Sequence, residues 1–216
     1  METTNKKAVF LGDSITQGVG ASDEAHRYTN VFADLTSCEI FVDGISGTRI
    51  APQKGVSPDP EQDLDFIGRV NALPKEADFI VVFGGTNDFG HGDAPFGEMS
   101  DREATTFYGA MHVLCQKLIA KYPTATIVFM TPLHRLSENE VINERGLPCK
   151  PLIEYVKAIR EVCEYYSLPV LDLYKYSGLQ PAIKAIQETY MPDGLHPSDL
   201  GAKKIACMLK QFIQSL

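Results

Sequence analysis

Five short apolar segments, rich in β-branched residues and phenylalanine, recur along the 216-residue chain and constrain its fold more than any other feature. One of them, Phe79-Ile80-Val81-Val82-Phe83, contains no polar residue, which is typical of a strand whose two faces are both covered. Segments of helical periodicity separate the runs and leave room for a crossover helix each time. The pattern predicts a three-layer α/β/α sandwich around a five-stranded parallel sheet, with the flavodoxin-like strand order 2-1-3-4-5. The predicted strands are 8–12, 39–43, 79–84, 126–131 and 169–172.

Three helices are predicted from apolar stripes that repeat every three to four residues. The first covers residues 104–122 and ends before Pro123. The other two present one apolar face each, formed by Leu152, Ile153, Val156, Ile159 and Cys163 and by Ile205, Leu209, Phe212, Ile213 and Leu216. The chain contains no internal repeat, low-complexity stretch or linker, so we expect a single domain over residues 1–216.

The charge balance excludes two classes of partner. Lys and Arg number 20 against 28 Asp and Glu, which gives a formal net charge of −8, so neither a nucleic acid nor an anionic membrane is expected to bind. No apolar run approaches the length of a membrane span, and no hydrophobic leader precedes the first strand, which predicts a cytoplasmic protein. The five cysteines are odd in number and form no C-x-x-C pair, so we expect free thiols rather than a disulfide framework.

Chemically useful residues follow the predicted strands. In a doubly wound sheet, ligands bind beyond the carboxyl ends of the strands, where the strand order reverses. The loops that follow strands one, two, three and five would bring together Ser14, Gly47, Asn87, Asp193 and His196. These residue types are the parts of an acyl-transfer site, which needs a nucleophile, a base, a group that orients the base and donors for an oxyanion.

A role can be assigned to each of them. Ser14 would be the nucleophile, and His196 would accept its proton, because histidine is the side chain that changes charge near neutral pH. Asp193 precedes His196 by three residues and can fold back to orient the imidazole. The oxyanion hole would consist of the Ser14 and Gly47 N–H groups and the Asn87 side-chain amide. The neighbouring Asp13 is expected to hydrogen bond the turn rather than to act in catalysis.

These blocks resemble those of the SGNH hydrolases, also called GDSL-type esterases and lipases. The four letters of the first name correspond, in order, to Ser14, Gly47, Asn87 and His196. The resemblance implies a serine esterase without a cofactor. One departure is Asp43, where the family often carries Asn; it leaves the backbone role of Gly47 intact but changes what braces that loop.

Three more residues are candidates for contact with substrate: His91, His134 and Arg135. The glycine- and proline-rich stretch within residues 89–103 is expected to form a wall or lid of the pocket. For His134 and Arg135, a solvated pair on a loop is the alternative interpretation.

Each residue also has a structural interpretation. Ser14 and Asn87 are common in turns and caps, and Gly47 is common in turns. Asp193 and His196 could begin the last helix or ligate a metal. A metal site would need a third ligand, for which Asp13, His91 and His134 are the nearby candidates, and their spacing does not specify zinc.

The function predicted from the sequence is therefore hydrolysis of a short acyl or acetyl ester of a small soluble molecule or a sugar, through an acyl-enzyme on Ser14. The expected partner is this small-molecule ester. The alternatives are a flavin- or nucleotide-binding module, with residues 12–20 around a phosphate, or a noncatalytic binding protein on the same fold. The nucleotide alternative lacks both the G-x-G-x-x-G and the P-loop spacings.

Overall fold

The computed structural model describes residues 3–216 and contains a five-stranded parallel sheet. The strands are β1 (Lys7–Gly12), β2 (Glu39–Gly44), β3 (Phe79–Phe83), β4 (Thr126–Met130) and β5 (Val170–Leu171). Their spatial order is β2-β1-β3-β4-β5 and every neighbouring pair is parallel, as predicted. The chain runs from β1 outward to β2 and then returns to β3 on the other side of β1. The carboxyl ends of β1 and β3 therefore flank the switch point where such sheets bind ligands.

The observed strands differ from the predicted ones only at their ends. The largest difference is at β5, which was predicted over residues 169–172 and has two residues. Asp172 leaves the strand because its side chain caps the next helix by accepting a hydrogen bond from the Lys175 N–H. Side-chain caps of this kind compete with strand pairing at the end of a sheet.

Nine helices occur in the described part of the chain, and several of them are single turns. They are α1 (Ser14–Gln17), α2 (Tyr28–Thr36), α3 (Phe66–Arg69), α4 (Thr86–His91), α5 (Phe107–Lys121), α6 (Leu152–Tyr165), α7 (Leu173–Tyr176), α8 (Lys184–Tyr190) and α9 (Asp199–Ser215). Short 3₁₀ turns lie at Glu24–His26, Pro60–Asp63 and Val70–Ala72. The connection between β2 and β3 has room for a crossover helix, but its helix α3 has only four residues. Prolines at 52, 58 and 60 remove backbone donors from this connection and favour a loop.

Helices cover both faces of the sheet, because successive strand residues point to opposite sides. Val9 and Leu11 belong to a core with α5 and α6, and Ala8 and Phe10 belong to a second core with α2 and α9. β3 is buried along its whole length, which accounts for its uninterrupted apolar sequence.

Two predicted helix ends require correction. α5 begins at Phe107 rather than at 104, because the Thr106 side chain accepts a hydrogen bond from the Gly109 N–H and caps the helix there. α9 ends at Ser215, so Leu216, which was predicted to lie on the buried face, is 45% exposed.

Within residues 3–216, no helix combines the length and the apolar character needed to cross a membrane. The same residues include no group of three or more His, Cys, Asp or Glu side chains arranged to hold a metal ion. The five cysteines are free thiols.

Candidate active site

Ser14 is the first residue of α1, and one residue, Asp13, separates it from the end of β1. Asp13 caps this helix by accepting a hydrogen bond from the Ile15 N–H at 3.1 Å, and Gly18 ends it in the left-handed conformation at φ 99°. The Asp13 side chain therefore bonds the turn, as predicted. Burial raises its pKa to about 7, against the opposing effects of the Ile15 N–H and the positive charge of Arg69. Ser14 is 7% exposed and faces the carboxyl edge of the sheet.

The structure brings together Ser14, His196 and Asp193. The Ser14 Oγ lies 2.9 Å from His196 Nε2, and His196 Nδ1 lies 2.6 Å from Asp193 Oδ2. Burial opposes ionisation of Asp193, but hydrogen bonds from the His196 and Leu195 N–H groups and from the His196 ring outweigh it and hold its pKa below the ordinary value. A charged carboxylate next to Nδ1 assigns the ring proton to that nitrogen. Nε2 is then free to accept the Ser14 hydroxyl proton.

The turn that carries Asp193 and His196 is held from two sides. Its Gly194 has φ 79°, and the Leu136 N–H donates a hydrogen bond to the Gly194 carbonyl at 3.0 Å. Gly20 packs on the other side, where an added Cβ would lie 2.6 Å from the Pro197 carbonyl oxygen. The position of the imidazole therefore depends on loops that follow β4 and β1.

The loops after β2 and β3 contact each other at the carboxyl edge of the sheet, the edge at which Ser14 also lies. Asn87, in the first turn of α4, donates one amide hydrogen to the Thr48 carbonyl at 3.0 Å and is 6% exposed. Its second amide hydrogen has no acceptor among the described residues. The N–H groups of Ser14 and Gly47 likewise donate to no protein acceptor in residues 3–216. These are the three donors that the sequence predicts for an oxyanion hole.

Gly47 is required by its conformation and by its surroundings. Its φ is 74°, in the left-handed region that favours glycine, and an added Cβ would lie 2.7 Å from the Gln62 Cγ. Any larger residue would displace either the loop or the Gln62 side chain.

The sequence matches the model of the GDSL-like lipase/acylhydrolase family over residues 10–204. The chain belongs to this family. No curated protein sequence matches it. Among solved structures, it is 33% identical to a protein from Lactobacillus plantarum, with a TM-score of 0.82 and 98% of each chain covered. At 23% identity, two further structures share the fold: a lipase/acylhydrolase from Enterococcus faecalis, with a TM-score of 0.66 and 97% and 96% of the two chains covered, and an acetyl xylan esterase, with a TM-score of 0.64 and 95% and 98% covered.

Within this GDSL-like protein, Arg69 braces the loop that carries Gly47. Its guanidinium donates hydrogen bonds to the Gly12 carbonyl at 2.9 Å, to the Asp43 carbonyl at 3.0 Å and to the Thr48 hydroxyl at 3.1 Å. It also forms an ion pair with the Asp43 carboxylate at 3.2 Å. The acidic residue at position 43 is thus compensated by a buried cation that joins the ends of β1 and β2. Sequence reasoning missed Arg69; the only available signal was a charge inside the apolar run Phe66-Ile67-Gly68-Arg69-Val70.

A second buried acid holds the same GDSL-family loop from the side of α4. The Asp88 carboxylate accepts hydrogen bonds from the Ile50 and Ala51 N–H groups, both at 2.9 Å. Burial raises its pKa to about 6, which those two bonds and the charge of Arg49 partly oppose. Because Asp88 follows Asn87 directly, one turn of helix presents the amide and fixes the loop that the amide contacts.

His91 does not reach the Ser14 cluster by hydrogen bonds. Its Nδ1 lies 2.7 Å from an Arg49 guanidinium nitrogen, so the neutral ring accepts a hydrogen bond there. Burial and the neighbouring Arg49 charge lower the pKa of His91 to about 4. The first residues of the stretch 89–103, which is predicted to form a wall or lid, are instead part of a helix. Phe89 and His91 lie in α4, and Phe89 packs against Tyr155 in the core.

His134 and Arg135 also have protein partners. His134 Nδ1 is 2.9 Å from Glu138 Oε2, and its ring lies 3.7 Å from the Tyr174 ring centre. Arg135 donates to Glu144 at 2.8 Å and lies over the Phe89 ring. These contacts hold the loop after β4 together. His134 and Arg135 are therefore not a solvated pair, which was the alternative interpretation of the sequence. Contact of His91, His134 or Arg135 with substrate stays a prediction.

Proposed function

We propose that this protein is a serine esterase that hydrolyses a carboxylic ester through an acyl-enzyme on Ser14. The observation that carries the proposal is the continuous hydrogen-bonded series from the Ser14 hydroxyl through the His196 ring to the Asp193 carboxylate. Membership of a lipase and acylhydrolase family supports the same reaction class.

In the first half of the reaction, His196 Nε2 takes the Ser14 proton while Oγ attacks the ester carbonyl carbon. The resulting oxyanion accepts hydrogen bonds from the Ser14 and Gly47 N–H groups and from the free hydrogen of Asn87. The C–O bond to the alcohol then breaks, and the imidazolium gives its proton to the departing oxygen.

In the second half, a water molecule loses a proton to His196 and attacks the acyl-enzyme. Collapse of the second tetrahedral intermediate releases the acid and returns the proton to Ser14 Oγ. Asp193 stays ionised throughout and stabilises the imidazolium, which agrees with the hydrogen bonds that lower its pKa.

The proposed substrate is a short acyl or acetyl ester of a small soluble molecule or a sugar. The negative net charge of −8 disfavours anionic surfaces as partners. A structural neighbour that is an acetyl xylan esterase provides a fold-level analogy for an acetylated carbohydrate.

The test is hydrolysis of p-nitrophenyl esters from acetate to decanoate by the natural protein, Ser14→Ala and Ser215→Ala. Ser215 is an exposed serine at the end of α9 and provides a matched control. We expect turnover by the natural protein and by Ser215→Ala, and background rates for Ser14→Ala. Equal rates for the natural protein and Ser14→Ala would overturn the proposal.

A further inference from the structure

The Gln62 side chain packs directly on the glycine proposed as an oxyanion donor. Its Cγ, Cδ and Oε1 atoms lie 2.7, 2.8 and 3.1 Å from the point where a Cβ on Gly47 would stand. A Cβ position is about 2.5 Å from the backbone nitrogen of the same residue. The Gln62 Oε1 therefore lies at most about 5.6 Å from the Gly47 nitrogen, because it is 3.1 Å from the Cβ position and that position is about 2.5 Å from the nitrogen.

This amide has no protein partner in the part of the chain that the structure describes. Two other glutamines adjoin the same loop and both are engaged: Gln17 accepts the Ser46 N–H at 2.8 Å, and Gln53 donates to the Ala51 carbonyl at 2.7 Å and accepts the Asp93 N–H at 2.8 Å. Gln62 is half-buried, and its two donors and its acceptor are left for solvent or a ligand.

The backbone that carries Gln62 is fixed. The Gln62 carbonyl accepts a hydrogen bond from Arg49 at 3.0 Å, and the same guanidinium binds the Asp63 carboxylate at 2.9 Å. The Arg49 side chain is 1% exposed, so this anchor lies beneath the loop rather than on its surface. An amide on a fixed backbone loses less freedom when it binds a ligand, which suits it to recognition.

The surroundings of this amide favour a neutral ligand. Asp59 and Glu61 are exposed on the same short segment, and no ion pair to either carboxylate occurs within residues 3–216. Negative charge close to Gln62 repels phosphate and carboxylate groups. A neutral hydroxyl can donate to the amide oxygen or accept from the amide NH₂ group, and it brings no charge into the site.

We propose that Gln62 is a substrate-binding residue that selects esters of hydroxylated neutral alcohols by hydrogen bonding a hydroxyl group next to the ester. The inference rests on the proposed esterase reaction, because it takes Gly47 as the point where the ester carbonyl binds. The hydroxyl groups of a small polyol ester lie within a few bonds of the ester carbonyl, a separation comparable to the limit of about 5.6 Å between the Gly47 nitrogen and Gln62 Oε1.

The test compares two acetate esters with the same three-carbon skeleton, 1-O-acetylglycerol and propyl acetate. Their kcat/KM values are measured for the natural protein, Gln62→Leu, Gln62→Ala and Gln211→Leu, in which an exposed glutamine of α9 is changed instead. For both Gln62 variants we expect kcat/KM for 1-O-acetylglycerol to fall about 5- to 20-fold, the effect of losing one or two neutral hydrogen bonds. We expect propyl acetate values to change less than about 2-fold, and Gln211→Leu to match the natural protein.

Two outcomes would overturn the inference. An equal fall for both esters would mean that Gln62 only supports the Gly47 loop, and unchanged kcat/KM values for both esters would mean that its amide does not meet the alcohol. Failure of the esterase proposal is separate, because it would appear as hydrolysis of propyl acetate that persists in Ser14→Ala.

Discussion

Replacing Arg69 by methionine tests whether one buried guanidinium holds the loop of Gly47, a proposed oxyanion donor, to the end of the sheet. The variant keeps much of the side-chain volume but removes three hydrogen bonds to oxygen atoms and the ion pair with Asp43. The Arg69 and Asp43 side chains are 7% and 19% exposed, so the pair is largely shielded from water. Removing one partner of such a pair costs about 3–5 kcal/mol, because the other charge is left buried without compensation.

We therefore expect Arg69→Met to lower the free energy of unfolding by about 3–5 kcal/mol, a large part of the 5–15 kcal/mol of a typical domain. Because the Thr48 hydroxyl loses its donor, the adjacent Gly47 N–H, a proposed oxyanion donor, should move. Loss of one oxyanion donor lowers kcat by about 10²- to 10³-fold. KM should change little, since this donor acts mainly on the transition state.

Urea unfolding followed by circular dichroism measures the stability, because the chain has no tryptophan to serve as a fluorescence probe. Kinetics on p-nitrophenyl acetate, under conditions where the variant is folded, measure the second effect. Arg102→Met is the matched control, since Arg102 is exposed and also donates to backbone carbonyls. A loss below about 1 kcal/mol, equal to that of the control, would refute the argument from burial. An unchanged kcat in the folded variant would refute the role of Arg69 in holding the loop.

Three further predictions concern the same site. Burial raises the Asp13 pKa from 3.8 to about 7, so the stability that the Asp13 carboxyl contributes is complete below pH about 4 and is lost as the pH rises through 7. Asp13→Asn should therefore gain stability relative to the natural protein between pH 4 and 8, by up to about 4 kcal/mol. A constant difference between the unfolding free energies of the two proteins in urea at pH 4, 6 and 8 would contradict this. Gly47→Ala should cost about 1–3 kcal/mol of stability and lower kcat at least about 10-fold. Gly146→Ala is the control, because Gly146 has the same φ of 74° and no atom lies within 4 Å of the added Cβ. This control should show only the stability cost of backbone strain, with full activity. His196→Gln should lower kcat/KM about 10²- to 10⁴-fold, the usual contribution of a positioned general base, and an undiminished value would count against His196 as the base.

The strands and their order were predictable because each strand is a local signal. The run of apolar residues at 79–83 predicts a buried strand without any knowledge of the neighbouring strands, and the handedness rule for parallel crossover connections then leaves few possible topologies. The connection between β2 and β3 was not predicted, since its single-turn helix and 3₁₀ turns carry no periodic pattern. Helix ends were missed where a side-chain cap decides them, as at Thr106.

The candidate catalytic residues were predictable for a different reason. Ser14, Asn87 and His196 follow or lie near strand ends that a parallel sheet brings to one edge, and their residue types match one reaction. Their supporting residues were not predictable, because each acts through a contact between distant parts of the chain. Arg69 reaches Gly12 across 57 positions, and nothing near Arg69 in the sequence indicates that carbonyl.

The pairing of Asp43 with Arg69 leads to one more prediction. Either charge alone would be buried without compensation, so each single change should be destabilising. Asp43→Asn leaves the guanidinium without its acidic partner, and Arg69→Met leaves the carboxylate without its basic partner. Changing both removes both charges, so neither is left buried without its partner. The double variant Asp43→Asn/Arg69→Met should therefore be more stable than Arg69→Met alone, with a coupling of about 1–3 kcal/mol in the double-mutant cycle. Urea unfolding of the four proteins measures it, and additive effects would mean that the ion pair does not explain how this chain tolerates an acid at position 43. A positive coupling would show that Asp43 and Arg69 can be replaced together at a smaller cost in stability than singly, because the acid depends on the arginine that neutralises it.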